Sequence, residues 1–356
     1  MMKMIKDSIQ KLIDGTNLAY EESREVMKEI MSGQATSAQI AAFLTALRMK
    51  GETVEEIIAF AEIMKECSHQ IRPRIKGRLV DTCGTGGDKI KTFNVSTAAA
   101  FVVAGAGVAI AKHGNRSVTS QSGSADVLER LGFNLNMTPE AVQNTVEQVG
   151  IGFMFAPAFH PAMKYAIGPR KEIGIRTIFN VLGPLTNPAC ANAQVLGVYD
   201  RKLTSPLAHA LQRLGCEEAM VVHGLDGLDE ISTVGKTAIA WLKEDEVTTI
   251  ETVPKDFGVK HARIEEIRGT TPDESAEILF KILNGHCATD DPRREIVLVN
   301  SAAGIIVGGK AEDFSYGMEL SRKSIDSGNA YKKLKALIKA SDGNLSKLEE
   351  LESKYG

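Results

Sequence analysis

The chain has 356 residues, 43% of them hydrophobic and 24% charged, which suits a folded protein with a buried core and two domains, or one large domain with an appendage. A formal net charge of −3 gives no bulk electrostatic case for nucleic acid, and no apolar run reaches the length of a membrane span. The start, Met1-Met2-Lys3-Met4, lacks the apolar core of a signal peptide, and five widely spaced cysteines without a C-x-x-C pair read as reduced thiols in a cytoplasm.

In chain order, residues 1–72 are predicted to be wholly helical. Thr36-Ser37-Ala38-Gln39 and Thr53-Val54-Glu55-Glu56 both fit a capping box, in which a hydroxyl and a later Gln or Glu satisfy free amides reciprocally. Behind them, Ile40, Phe43, Leu44 and Leu47, then Ile57, Phe60, Ala61 and Met64, fall on single helical faces. Gly15, Gly33 and Gly51 stand where helices should stop. Four short helices result, thin for a complete domain. Arg72-Pro73-Arg74-Ile75-Lys76-Gly77 is the linker candidate, because proline breaks a helix and the charges keep it wet. Strand-like runs then alternate with helical patterns: 79–81, 108–111, 151–156, 195–199, 219–222 and 238–242. The alternation argues for an α/β domain around a largely parallel sheet. A helical pattern over 170–187 interrupts it and is assigned to the N-terminal helices. The expected division is 1–72 with 170–187 as a helical domain, and 78–169 with 188–356 as the α/β domain. The Lys-rich tail from about 311 reads as a solvated final helix pair.

Two turn-rich segments follow strands and precede helices. The first is Gly84-Thr85-Gly86-Gly87-Asp88, then Thr92, Asn94, Val95, Ser96 and Thr97 at the opening of a small-residue helix. Glycines admit a ligand close to the backbone, and a helix start offers free amides and the positive dipole end. A tight strand-to-helix turn is the plainer alternative. The second runs Lys112-His113-Gly114-Asn115-Arg116-Ser117-Val118-Thr119-Ser120 and on to Ser124. Two cations, an amide and several hydroxyls against an apolar strand suit phosphate better than a Ser-rich surface loop does. Neither segment is a Walker or Rossmann fingerprint. Asp229-Glu230, with no adjacent Lys or Arg, suits a hard cation that keeps its waters, although acidic turns are common. His160, between prolines, and Arg170 offer an aromatic pocket and a carboxylate partner; a turn histidine and a surface ion pair are their alternatives.

These strings together resemble the anthranilate phosphoribosyltransferases. They are Asp81 to Asp88, Thr92 to Thr97, Lys112 to Ser117, Gly123 to Glu129, Arg176-Thr177-Ile178-Phe179-Asn180-Val181-Leu182-Gly183-Pro184-Leu185-Thr186-Asn187-Pro188, and Gly227 to Ser232. The resemblance implies a small helical N-terminal domain hinged to a larger α/β domain of the nucleoside phosphorylase and phosphoribosyltransferase type. It implies transfer of the phosphoribosyl group from 5-phosphoribosyl 1-pyrophosphate to the amine of anthranilate, the second step from chorismate to tryptophan. It also implies a homodimer through the helical domain. Carried over, Gly84, Gly87, Asp88, Thr92, Asn94 to Thr97, Lys112 to Ser120 and Ser124 bind the sugar phosphate; Ser96, Asp229 and Glu230 hold two magnesium ions; and Gly84, Asn115 and Arg170 meet anthranilate. Lys89 stands where the family usually has Gly.

Both routes give a mechanism in which charge on the departing pyrophosphate is neutralised and a neutral aromatic amine is positioned over the sugar, with no essential general base. The rivals are a pyrimidine nucleoside phosphorylase, which needs no metal pair, and a non-catalytic relative that binds nucleic acid.

Overall fold

The computed structural model describes residues 4–87, 90–117, 122–269 and 271–355. Asp88, Lys89, Val118, Thr119 and Ser120 lie outside the described residues.

The chain opens with α1 (Met4–Ile13), α2 (Tyr20–Met31), α3 (Ser37–Lys50) and α4 (Val54–Glu66). Both capping boxes form. Thr36 Oγ1 accepts from the Gln39 amide at 3.3 Å while Gln39 Oε1 accepts from the Thr36 amide at 2.9 Å, and Thr53 and Glu56 repeat the exchange. Glu56 is fully buried, and it takes the Lys50 ammonium and the Leu18 amide as well. The linker is pinned by its backbone: Ile71 N donates to Pro188 O, Arg72 N to Gln143 and Arg74 N to Glu147.

The α/β part runs β1 (Leu79–Gly84), α5 (Val95–Gly105), β2 (Ala109–Gly114), α6 (Ser124–Arg130), α7 (Pro139–Val149), β3 (Ile151–Phe155) and the single turn α8 (Ala156–Phe159). The chain then leaves the sheet for α9 (Lys164–Ile173) and α10 (Phe179–Leu185), separated by Gly174 in the left-handed conformation at φ +64°. α9 packs on α2 and α3, and α10 on α4, so Ala166, Phe179, Val181 and Leu182 share a core with Phe43, Leu44 and Phe60. The expected single helical piece is thus two helices.

The sheet resumes with β4 (Ala193–Gly197), α11 (Thr204–Arg213), β5 (Glu218–Gly224), β6 (Thr237–Lys243) and β7 (Glu246–Thr252). Its order is β3-β2-β1-β4-β5-β6-β7, parallel through β5 and antiparallel beyond. Largely parallel is therefore correct, with a hairpin added. The chain builds outward from β1 in one direction and then restarts at β4 on its other side. That reversal is a topological switch point, where a crevice opens beyond the carboxyl ends of the strands. Gly84 and Gly197 are register partners there.

The remainder is α12 (Pro272–Leu283), α13 (Pro292–Val307), α14 (Phe314–Asp326), α15 (Asn329–Ala340) and α16 (Ser346–Tyr355). The expected solvated pair is instead three helices with a buried face: Met318, Ile325, Leu334, Ile338 and Leu348 are each at most 1% exposed. α14 and α15 cover α5 and the apolar stretch of α13, Ile296 to Val307, which is buried throughout, and α16 packs on α12. Small residues permit the approach, since a Cβ on Gly105 would stand 2.7 Å from the Ala330 backbone nitrogen.

Candidate active site

A cleft of about 520 Å³ lies beyond the carboxyl ends of β1 and β2, lined also by the segments after β3 and β5, with α4, α9 and α10 facing it. Every described residue expected at the site lines it: Gly84, Gly87, Thr92, Asn94 to Thr97, Lys112 to Ser117, Ser124, Arg170, Asp229 and Glu230.

The first loop is shaped by close approach. A Cβ on Gly84 would come 2.8 Å from Asp229 Oδ2, and one on Gly197 would fall 1.6 Å from the Asp229 carbonyl oxygen. The acidic loop therefore sits on two strand ends bare of side chains. Gly86 N donates to Asp229 Oδ2 at 3.0 Å. Gly87 has φ +86°, and Arg176 donates to its carbonyl at 2.8 Å while lying 4.1 Å over the Tyr199 ring. Arg176, which opens the Arg176 to Pro188 string, clamps the first loop from the α9–α10 connection.

The acidic loop is also held from within. Asp226 accepts from Leu228 N at 3.1 Å and from the Ser232 hydroxyl, and Gly227 makes the turn at φ +103°. From α13, Asn300 Oδ1 accepts from Ile231 N at 2.9 Å and Asn300 Nδ2 donates to Ile231 O at 3.0 Å.

The two loops are joined. Asn94 caps no amide with its side chain; it accepts from the Ser122 hydroxyl at 3.0 Å and donates to Ser122 O at 3.2 Å. Lys112 is 4% exposed, and its ammonium donates to Thr82 O and, at 3.4 Å, to Ser96 Oγ. Burial pushes the Lys112 ammonium down, and the nearby Asp81 carboxylate opposes that. Asp81 is itself fully buried, held by Asn187 Nδ2 at 2.7 Å and the His113 amide at 3.2 Å. Lys112 thus braces the strand ends and the Ser96 hydroxyl. Arg116 is also engaged, donating to Glu129 and Asp126 at 2.8 to 2.9 Å.

Opposite lies a drier wall, with Met64, Pro157, His160, Pro161, Met163, Ile167, Phe179 and Pro184. Arg170 reaches in from α9 with its guanidinium 5.1 Å from the Phe179 ring centre, and no carboxylate pairs with it among the described residues. The His113 and His160 rings lie 5.0 Å apart between centres, tilted by 45° to each other. Burial pushes His113 down to about 3, with His160 adding repulsion, and burial pushes His160 down to about 4. Both imidazoles are neutral near pH 7, which suits wall-building better than proton transfer.

The chemistry is two-sided: a cradle of bare backbone, hydroxyls and hard carboxylates faces an apolar pocket ending in a planar cation. Residues 6–68 match the helical bundle domain of the glycosyl transferase family, and residues 76–331 match its α/β domain. The fold and cleft are those of a two-domain glycosyl transferase. Relatives named anthranilate phosphoribosyltransferase include those of Pelotomaculum thermopropionicum, 52% identical over 96% of this chain and 98% of the relative, and Geobacter sulfurreducens, 51% identical over 94% and 99%. The chain belongs to the anthranilate phosphoribosyltransferase family.

Solved structures agree. The Thermus thermophilus enzyme superposes with a TM-score of 0.88 at 39% identity, covering 94% of this chain and 99% of its own. The Saccharomyces cerevisiae enzyme, solved with 5-phosphoribosyl 1-pyrophosphate and magnesium, gives 0.88 at 29% identity, covering 96% and 99%. The same enzyme with 4-fluoroanthranilate gives 0.86 at 28% identity, covering 95% and 98%.

Proposed function

We propose that the protein transfers the phosphoribosyl group from 5-phosphoribosyl 1-pyrophosphate to the amine of anthranilate, releasing pyrophosphate, in tryptophan biosynthesis. The observation that carries this reading is that one cleft holds two opposed chemistries. An anionic sugar pyrophosphate fits the loop cradle, and an aromatic carboxylate fits the apolar wall around Arg170.

The first loop and the start of α5, Gly84, Gly87, Thr92 and Asn94 to Thr97, take the pyrophosphate. The second, Lys112 to Ser117 and Ser124, takes the remaining phosphate and the ribose. Asp88, Val118, Thr119 and Ser120 join them in the reading carried over from the family. Gly84 and Asn115 meet the acceptor, and Arg170 turns its carboxylate so that the amine faces the sugar. Asp229, Glu230 and Ser96 line one wall with hard oxygen donors, a set that fits magnesium shared with substrate phosphates. We assign them two ions. Magnesium, when bound there, supplies positive charge against the leaving pyrophosphate.

The protein's own part is positioning. Loop amides aim at the donor's phosphates, and Arg170 orients an amine that is already a neutral nucleophile. The neutral His113 and His160 make no general base, and none is assigned.

A hinge between the helical part, 1–72 with 170–187, and the α/β remainder brings the two walls together. Exposed apolar side chains on the helical part, Met49 at 84% and Ile13 at 65%, favour a homodimer through that face. No helix among the described residues is long and apolar enough to cross a membrane. A cytoplasmic location fits the free thiols of all five cysteines.

The acidic pair facing the glycine loop favours the transferase over a nucleoside phosphorylase, and the net charge of −3 disfavours nucleic acid. Loss of anthranilate fluorescence on adding the donor with magnesium is the test. Unchanged fluorescence overturns the reading.

A further inference from the structure

Asp126, in the first turn of α6, accepts hydrogen bonds from three groups among the described residues and has no part in the substrate contacts assigned above. Its Oδ2 accepts from the Ser117 and Gly123 amides, each at 3.0 Å, and its Oδ1 accepts from Arg116 Nη1 at 2.9 Å. Arg116 and Ser117 belong to the stretch leaving β2, and Gly123 to the stretch entering α6. One carboxylate therefore joins the two ends of the second loop. The next residue back, Ser122, carries the double link to Asn94 at the start of α5. Glu129, one turn further along α6, takes both Nη atoms of Arg116 and draws the guanidinium to 5.8 Å from the Phe155 ring centre. Partial burial works against ionisation of Asp126, yet the Ser117 amide, Arg116 and the Gly123 amide hold its carboxyl below the usual range.

We propose that Asp126 is a positioning residue for the phosphoribosyl donor: it closes the second loop on itself and, through Ser122 and Asn94, sets the distance between the two phosphate-facing loops. This rests on the transferase reading of the cleft. Asp126 also caps α6 from its first turn, since its carboxylate accepts from the amide of Gly123 at the N-cap. A cap alone supports the helix, and its loss lowers stability without favouring one substrate over the other. A staple across the loop acts mainly on the donor, which takes Lys112 to Ser117 and Ser124, whereas the acceptor meets Asn115 alone in this loop.

Asp126→Asn is the test, because it keeps the shape, removes the charge and points an N–H₂ where an acceptor stood. We expect the donor KM to rise roughly tenfold, the loss that follows from removing charged hydrogen bonds. The anthranilate KM and saturated kcat should stay within about twofold of the parent. Glu129→Gln leaves Asp126 in place and should leave the donor KM near the parent value. An unchanged donor KM in Asp126→Asn overturns the proposal, and so does an equal rise in both KM values. If the variant does not fold, hydrogen exchange on the unaltered chain decides. Slow exchange at Ser117 and Gly123 supports the staple, and exchange at the rate of free amides overturns it. An unaltered chain with no turnover overturns the transferase reading itself, which separates the two failures.

Discussion

Asn300 holds Ile231 by both of its backbone groups, accepting from the amide at 2.9 Å and donating to the carbonyl at 3.0 Å. Ile231 follows directly on Asp229-Glu230, so a residue buried on α13 fixes the acidic loop from 69 positions away. A third bond, to Ile296 O at 2.9 Å, leaves the amide of Asn300 one orientation. Asn300→Leu removes these partners in a site that water does not reach. Its cost should be about 2–4 kcal/mol, since each orphaned buried group costs about 1–3 kcal/mol. A urea titration reads the stability, and a magnesium titration of activity should shift to higher metal.

Gly84→Ala separates crowding from folding. The new methyl meets Asp229 Oδ2 at 2.8 Å, so the carboxylate must retreat. Gly84 is outside the left-handed region, and backbone strain adds nothing. Thermal stability should stay near that of the parent, while kcat/KM for the donor falls by roughly a hundredfold, the order expected for a misplaced catalytic group. A variant with parental kinetics would contradict the placement of Asp229 against this loop.

Arg170→Gln keeps much of the side chain's length and loses the planar fork. The anthranilate KM should rise roughly tenfold or more, with the donor KM unchanged. Steady-state kinetics with each substrate varied in turn give the answer. A rise in the donor KM instead would move Arg170 to the other wall.

His113 and His160 make stability depend on acid. Their folded-state values, about 3 and about 4, lie below the ordinary histidine value of about 6.5. The unfolded chain therefore binds more protons through that window. Their contribution is fully present above about pH 6.5 and is lost as pH falls toward about 4 and then about 3, at up to about 1.4 kcal/mol per pH unit for each. Urea midpoints at pH 7 and pH 5 check the slope, which His160→Gln should flatten. No inflection in kcat should arise from either ring between pH 6 and pH 9.

Chelation should stop turnover, and added magnesium should restore it. Calorimetry should find magnesium binding strengthened by pyrophosphate, because Asp229, Glu230 and Ser96 supply only part of a coordination sphere. Full activity in excess chelator would remove the metal from the proposal.

The site was legible because its chemistry is local. Glycines at strand ends, Asp229-Glu230 with no Lys or Arg beside it in sequence, and the Lys112 to Ser117 run sit in short strings whose residue types suit phosphate and a hard cation. The capping boxes at Thr36 and Thr53 were legible for the same reason. The positioning residues were hidden because their partners are distant in sequence: nothing near Asn300 points to Ile231, and nothing near Arg176 points to Gly87. β7 carries no such signal, because Glu246 to Thr252 is largely exposed and lacks an apolar alternation. Its turn also hides, since Glu244 and Asp245 take φ +51° and +61°, where Asn-Gly is the usual signal. The tail reads as solvated because Lys323, Lys332 and Lys339 are exposed on helices whose inner faces pack on α5, α12 and α13.

The β6–β7 hairpin turns at the amino-terminal edge of the parallel strands, since Thr237 pairs with Gly224 and Leu242 with Ala219. Glu244 and Asp245 therefore point away from the crevice, on the far side of the molecule, and both are exposed. This gives the enzyme a handle. A fluorophore, an affinity peptide or a surface tether grafted at that turn leaves the substrate entrance open, and immobilised or labelled protein made this way should work at the rate of the free chain.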